Sequence, residues 1–224
     1  MLLDILNSGS AHWTTILASA ISSIIVIFLC LPFHEFAHAF IADKLGDRTA
    51  RYQGRLTMNP LAHIDYMGAL MILLVGFGYA KAVPVNYYNF SKPRRDIALV
   101  SVAGPLSNIL MALVLVLISN VIAFLWLSTV SIIIINVFYL AARINVSLAV
   151  FNLIPVPPLD GSKVLMSLTP ARVTYFMEKY GNLLYYVVFA SIIIGALDTP
   201  FFFAVNSIMN AIGTLAGLPF VLFS

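Results

Sequence analysis

The sequence predicts an all-α integral membrane protein of about five transmembrane helices, with a re-entrant or membrane-edge segment near residues 67–86. Three observations carry this expectation. Apolar residues make up 61% of the 224 residues and charged residues 9%, where a soluble domain carries about a quarter charged residues. Apolar stretches recur at close to the roughly 20 residues a helix needs to cross a hydrocarbon core of about 30 Å. The basic residues are also segregated, eight of the twelve lying between Asp43 and Asp96. The length suits a single polytopic domain, 1–224. Lys plus Arg exceeds Asp plus Glu by 12 − 9 = 3, too small an excess to suggest nucleic acid as a partner. The single cysteine, Cys30, excludes an intrachain disulfide.

The elements follow in order. Residues 1–12 hold no Lys or Arg, so they lack the basic start of a secretory signal, and the apolar run from Trp13 to about Ala42 reads as a retained first span. Trp13 suits an interfacial anchor, and Asp43-Lys44 is the polar end. Within the charged stretch that follows, "MGALMILLVGFGYA" is apolar but only about 14 residues long, which fits a re-entrant or edge segment better than a span. A second span begins near Ile97 and contains "AGPLSNILMALVLVL". A third runs from about Ser131 into Asn152, where "NLIPVPPLDG" breaks the helix. After a stretch holding Lys163, Arg172 and Lys179 come two more, about Asn182–Leu197 and Phe201–Leu222, with Asp198-Thr199-Pro200 as the turn between them.

Charge gives the topology. If Asp43–Asp96 is cytoplasmic, by the positive-inside bias, span two leads out and span three returns. Asn152–Lys179 then lies in the cytoplasmic half, and "HEFAH" and "PPLDG" meet on one side of the membrane.

His34-Glu35-Phe36-Ala37-His38 matches H-E-x-x-H. On a helix both imidazoles share a face and can reach one zinc ion, with Glu35 beside its water. Five-residue patterns arise by chance, but a charge deep in a bilayer costs at least about 2.5–3.5 kcal/mol. If Lys44 marks the interface, a rise of 1.5 Å per residue puts His38 and His34 roughly 9–15 Å inside. A metal gives these groups a reason to be there. A catalytic zinc takes three protein ligands and keeps one position open. Glu178 lies outside the apolar core, Cys30 reads as small-residue helix packing, and Asp43, Asp47, Asp65 and Asp96 read as solvated. Asp160 follows a helix break and returns to the leaflet of His34, so it completes the set. Pro155, Pro157 and Pro158 enforce an extended stretch, tolerated at membrane depth only inside protein or along a wet cavity. Pro32 loosens the first helix just before the histidines.

"HEFAH" followed far downstream by "NLIPVPPLDG", with "AGPLSN" between, resembles the site-2 protease family of intramembrane zinc metalloproteases, over roughly residues 13–170. The segment "GRLTMNPLAHIDYMGAL…AKAVPVNYYNF" is similar to the small bacterial members without PDZ or CBS domains. The resemblance implies that His34, His38 and Asp160 bind one Zn2+ and that Glu35 is the catalytic acid/base. It also implies that Asn152, at the family's N-x-x-P position, helps bind the substrate carbonyl or oxyanion. Tyr66 and Ala82 depart from the usual proline positions of such members, in loops away from the proposed metal set.

The expected activity is hydrolysis of a peptide bond in or near a transmembrane segment of a membrane-protein substrate, in regulated intramembrane proteolysis or clearance of membrane remnants. The site is expected towards the cytoplasmic side of a multi-pass cell-membrane protein, with the lipid bilayer as its surroundings. An ion or metal transporter would also use buried His, Glu and Asp, yet no inverted repeat is evident. An inactive scaffold would not need all four residues. His63 reads as a site-entrance or a structural histidine, Asn108 as satisfying a neighbouring helix backbone, Arg143 as needing a partner, and His12 as interfacial.

Overall fold

Pro32 decides the shape of the first helix. Its nitrogen carries no hydrogen and its ring crowds the carbonyl one turn back. The chain answers with a π-helical turn, Val26–Cys30, in which the Leu31 N–H reaches the Val26 carbonyl five residues earlier. On either side lie α1 (Trp13–Ile25) and α2 (Leu31–Lys44), and the three pieces form one rod, Trp13–Lys44, of 32 residues. The computed structural model describes residues 13–75, 78–126 and 128–217. His12, the Gly76-Phe77 pair and the end of the predicted fifth span lie outside them.

Between the first two long helices runs a polar stretch with little regular structure. It contains α3 (Thr49–Tyr52), a 3-10 turn at Pro60–Ala62, α4 (Tyr66–Val75) and a second 3-10 turn at Tyr87–Asn89. α4 has 10 residues, about half of what a span needs. Gly78 to Asn86 then runs without regular structure beside α4. The two cross at Gly68 and Gly78, where a Cβ on Gly68 would lie 1.9 Å from the Tyr79 carbonyl oxygen. Only glycine permits so close a backbone approach.

The aspartates expected to be solvated are instead the fasteners of this stretch. Asp47 is fully buried and accepts from the Thr49 and Asn86 backbone N–H groups, the Thr49 hydroxyl and the Asn89 amide. Burial alone would raise its pKa, but these hydrogen bonds outweigh burial and hold it below the ordinary carboxylate value. Asp96 is buried as well, accepting from the Lys92 N–H and the Arg95 guanidinium. Asp43 pairs with Arg51, and Asp65 caps the Gly68 N–H. Loops full of unpaired backbone donors need acceptors, and a nearby carboxylate supplies two.

The long helices are α5 (Pro93–Leu125), started by Pro93 in its first turn, and α6 (Thr129–Asn152), started by a Ser128–Ser131 capping box. With Trp13–Lys44 they are the three helices, among the described residues, long and apolar enough to cross a membrane. The first and third agree with the predicted spans at both ends to within about two residues, and the second starts at Pro93 rather than near Ile97. α5 is central: it packs on α6, on α2 and on the short α7 (Asp160–Leu168). The core between α1, α5, α6 and the last helix holds Val26, Leu115, Ala141, Leu148, Val205 and Met209.

The last two predicted spans are helical but differently bounded: α8 covers Ala171–Ile193 and α9 covers Asp198–Leu215. α8 therefore starts well before Asn182 and takes in Arg172 and Lys179. The turn falls at residues 194–197, with Gly195 at φ +74°. Asp198-Thr199-Pro200 opens the next helix rather than separating two, because a proline in the first turn loses no hydrogen bond.

Candidate metal centre and active site

α2 presents His34 and His38 one turn apart, with ring centroids 4.6 Å apart at 79°. Their Nε2 atoms are 3.0 Å from each other. Asp160, the first residue of α7, brings its Oδ2 to 3.0 Å from the His38 Nε2 and 3.5 Å from the His34 Nε2. The three residues are at most 7% exposed. Ligand atoms about 2.0–2.1 Å from a tetrahedral zinc lie about 3.3 Å from one another, so this triangle fits the ion without rearrangement. Two imidazole nitrogens and one carboxylate oxygen are also the donor set zinc favours.

Two of the three ligands, His38 and Asp160, are oriented from behind. The His38 Nδ1 donates to the Val100 carbonyl at 2.7 Å. A carbonyl can only accept, so the hydrogen sits on Nδ1 and the Nε2 lone pair faces the centre. The other oxygen of Asp160 accepts from the Lys163 ammonium at 3.1 Å, which leaves one oxygen for the metal. The His34 Nδ1 is buried without a hydrogen-bond partner.

α5 closes in at Gly104. A Cβ there would stand 2.2 Å from the His38 Nε2 and 2.6 Å from the His34 Nε2, so any larger residue would occupy the space around the ligand atoms. The same logic brings Asp160 to its place: a Cβ on Gly161 would lie 2.2 Å from the Leu153 carbonyl oxygen. The proline-rich turn and the start of α7 can meet only through that glycine.

Glu35 lies between the histidines in sequence and accepts from the Val83 N–H at 2.9 Å. It lines a cavity of ≈ 600 Å³ together with His34, His38, Asp160, Asn152 and Lys163. Residues of Gly78–Val85 and the α8 residues Tyr185, Tyr186 and Phe189 form part of the walls. Asn152 ends α6, its Nδ2 donating to the Leu148 carbonyl at 3.0 Å. An amide nitrogen carries two hydrogens, so one remains for a ligand.

The structure thus brings together all five residues singled out in the sequence. Three contributors were not foreseen: Gly104 as the closest packing contact, Lys163 behind Asp160, and the backbone of Val83. Lys163 had a signal, being three residues after Asp160 on a helix, and Gly104 stands in the "AGPLSN" motif; Val83 had none. His63 is not at the entrance: it is fully buried and its Nε2 binds the Thr57 carbonyl at 2.8 Å. Asn108 does not satisfy a helix backbone, because both its amide atoms are buried without a partner. Arg143 finds the Tyr139 hydroxyl, one turn earlier on α6. Cys30 is fully buried in the core, as a packing residue should be.

Comparison with known proteins agrees with the chemistry. The model of peptidase family M50 matches residues 118–195, the part that holds Asn152 and Asp160. YwhC of Bacillus subtilis, named as a zinc metalloprotease, is 39% identical over 174 residues, covering 75% of this chain and 80% of its own length. Rip2 of Mycolicibacterium smegmatis, also named as a zinc metalloprotease, is 33% identical over 138 residues, 59% of this chain. The matched region spans about half of that relative, 51% of its length. MJ0611 of Methanocaldococcus jannaschii, with the same kind of name, is 30% identical over 151 residues, 65% of this chain and 69% of its own. No solved structure matches the chain. The identity to YwhC over most of both chains and a histidine–histidine–aspartate triangle of zinc dimensions lead to one conclusion: the chain is a zinc metalloprotease of peptidase family M50, the site-2 protease family.

Proposed function

We propose that this protein hydrolyses peptide bonds in or near transmembrane segments of membrane-protein or peptide substrates, in regulated intramembrane proteolysis or in clearing membrane remnants. His34, His38 and Asp160 are the zinc ligands, Glu35 the catalytic acid/base, and Asn152 the group that binds the substrate carbonyl oxygen. The observation that carries this reading is the triangle of ligand atoms on a long apolar helix, opening into a cavity that Glu35 and Asn152 also line.

Zinc in such a site supplies an activated water and a Lewis acid. Glu35 takes a proton from the water as its oxygen attacks the carbonyl carbon. The spare Nδ2 hydrogen of Asn152 steadies the oxygen as charge develops on it. Glu35 then returns the proton to the departing amine as the C–N bond breaks. A helical substrate hides its peptide bonds and must unwind first. The extended run from Gly78 to Asn86 offers a backbone edge along which an unwound stretch could lie.

The same reading takes the chain as one polytopic domain, 1–224, in a multi-pass cell membrane. α8 and α9 are its fourth and fifth spans, α4 its edge segment. The site faces the cytoplasmic side, since Lys44, Arg94 and Arg95 flank the helix ends nearest to it. The transporter reading is not favoured, because a glutamate between two ligating histidines is what hydrolysis needs and what ion passage does not. Membrane proteomes of cells carrying the wild-type protein and Glu35→Gln test the proposal. Uncleaved membrane fragments should accumulate with Glu35→Gln; identical proteomes, with both proteins expressed and zinc-loaded, would sink it.

A further inference from the structure

The geometry points to Arg55 as a positioning residue for Glu35, acting through the Ala82–Val83 peptide plane. The inference rests on the reading of Glu35 as the acid/base. The Arg55 guanidinium Nη2 donates to the Lys81 carbonyl at 2.5 Å and to the Ala82 carbonyl at 3.2 Å. The next backbone group along the chain, the Val83 N–H, donates to the Glu35 Oε2 at 2.9 Å. The Ala82 carbonyl and the Val83 N–H belong to one peptide group, which is planar and points them in opposite directions. Gripping the carbonyl on one side therefore aims the N–H on the other.

Three further contacts make this strap a fixture. The Lys81 N–H donates to the His63 carbonyl at 2.8 Å, and buried His63 is itself tied to the Thr57 carbonyl at 2.8 Å. Arg55 is held from its own backbone, its N–H bonding the Ala50 carbonyl at 2.8 Å. Thus two carbonyls and two N–H groups of residues 81–83 are committed within the protein, and only one of them touches the active site. A cation on the carbonyl also polarises the peptide group, which makes its N–H a stronger donor to the carboxylate. With Oε2 so occupied, Glu35 keeps Oε1 for the water. Its carboxylate is fixed in rotation before any substrate arrives, the preorganisation that acid/base catalysis rewards.

Amide hydrogen exchange at Val83, resolved by NMR on the full chain in detergent, reads the strap without relying on turnover. The Val83 amide should be protected in the wild type and in Glu35→Gln, whose side-chain oxygen still accepts. It should lose about tenfold or more of its protection in Arg55→Met and Glu35→Leu, and Arg55→Lys should restore most of the loss. Cleavage of a quenched-fluorophore leucine–alanine peptide of membrane-spanning length, with a central Gly-Gly to loosen its helix, supplies the kinetic arm. Arg55→Met should lower kcat about tenfold with KM within twofold and a full zinc complement. Unchanged Val83 protection in Arg55→Met, or a rise in KM with kcat intact, would overturn the inference. Wild-type cleavage by Glu35→Gln would instead overturn the acid/base reading beneath it, whatever the exchange shows.

Discussion

The metal corner and the α8 helix line the same cavity, yet they are held in opposite ways. Around the corner, α2, α5 and α7 bury polar groups against one another: His34, Glu35, His38, Ser101, Asn108 and Asp160 are all buried. Two approaches there, at Gly104 and Gly161, run through glycines too tight for a Cβ. α8 is the reverse. Among its described side chains only Gly181 is buried, Tyr175, Leu183, Tyr186 and Val187 are exposed, and its main contact within the chain is α7. Ligands to a metal must sit within tenths of an ångström, so their supports interlock; a helix that only lines the cavity has no such requirement. Elements with few buried contacts are drawn from the low-stability end of a fold.

That contrast can be broken at three points, taken from the largest expected effect to the smallest. Gly104→Val puts side-chain carbon where the Nε2 atoms converge. Zinc content after purification should drop to background and cleavage should fall at least about a hundredfold, as for a lost metal ligand shell. Retained zinc at full occupancy would mean that α5 yields easily, and the corner would not be rigid. Lys163→Met frees the second oxygen of Asp160 and should weaken zinc about 10–100-fold in competition with a chelator, the usual effect of removing an outer-shell partner. Lys163→Arg should lose much less. Equal affinity in wild type and Lys163→Met would show that Asp160 needs no support from behind.

Gly181→Ala tests the other side. Its Cβ would meet the Pro157 ring at 3.0–3.1 Å, a tight contact that a slight shift of α8 relieves, while alanine gains roughly 0.5–1 kcal/mol over glycine inside a helix. Thermal stability and zinc affinity should both stay close to wild type. If zinc were lost, α8 would be coupled to the metal corner and the contrast would fail.

Local periodicity made much of this readable in advance. Helical character, the first three long helices and the short α4 are set by stretches of 10–33 residues, within which apolar composition and length decide the outcome. The turn between α8 and α9 differs from the expected one because Pro200 looks like a breaker from sequence, although proline is harmless in a first turn. The aspartates of the loops were misread for a related reason. Composition marks Asp47 and Asp96 as polar, but only the folded loops show how many donors converge on each.

The sequence by itself determined the chemistry: a glutamate between two histidines four residues apart, since helical geometry alone puts both rings on one face, and an aspartate after a proline-rich break. Tertiary structure decided the rest. It chose which carbonyl orients His38, which lysine backs Asp160 and which peptide group holds Glu35, and it gave Gly104 its place between the two Nε2 atoms. Apart from Lys163, three residues after Asp160, these are contacts between segments 48 or more residues apart, where the residue type alone carries no signal. What fixes them is steric: helices approach only as closely as their smallest residues allow.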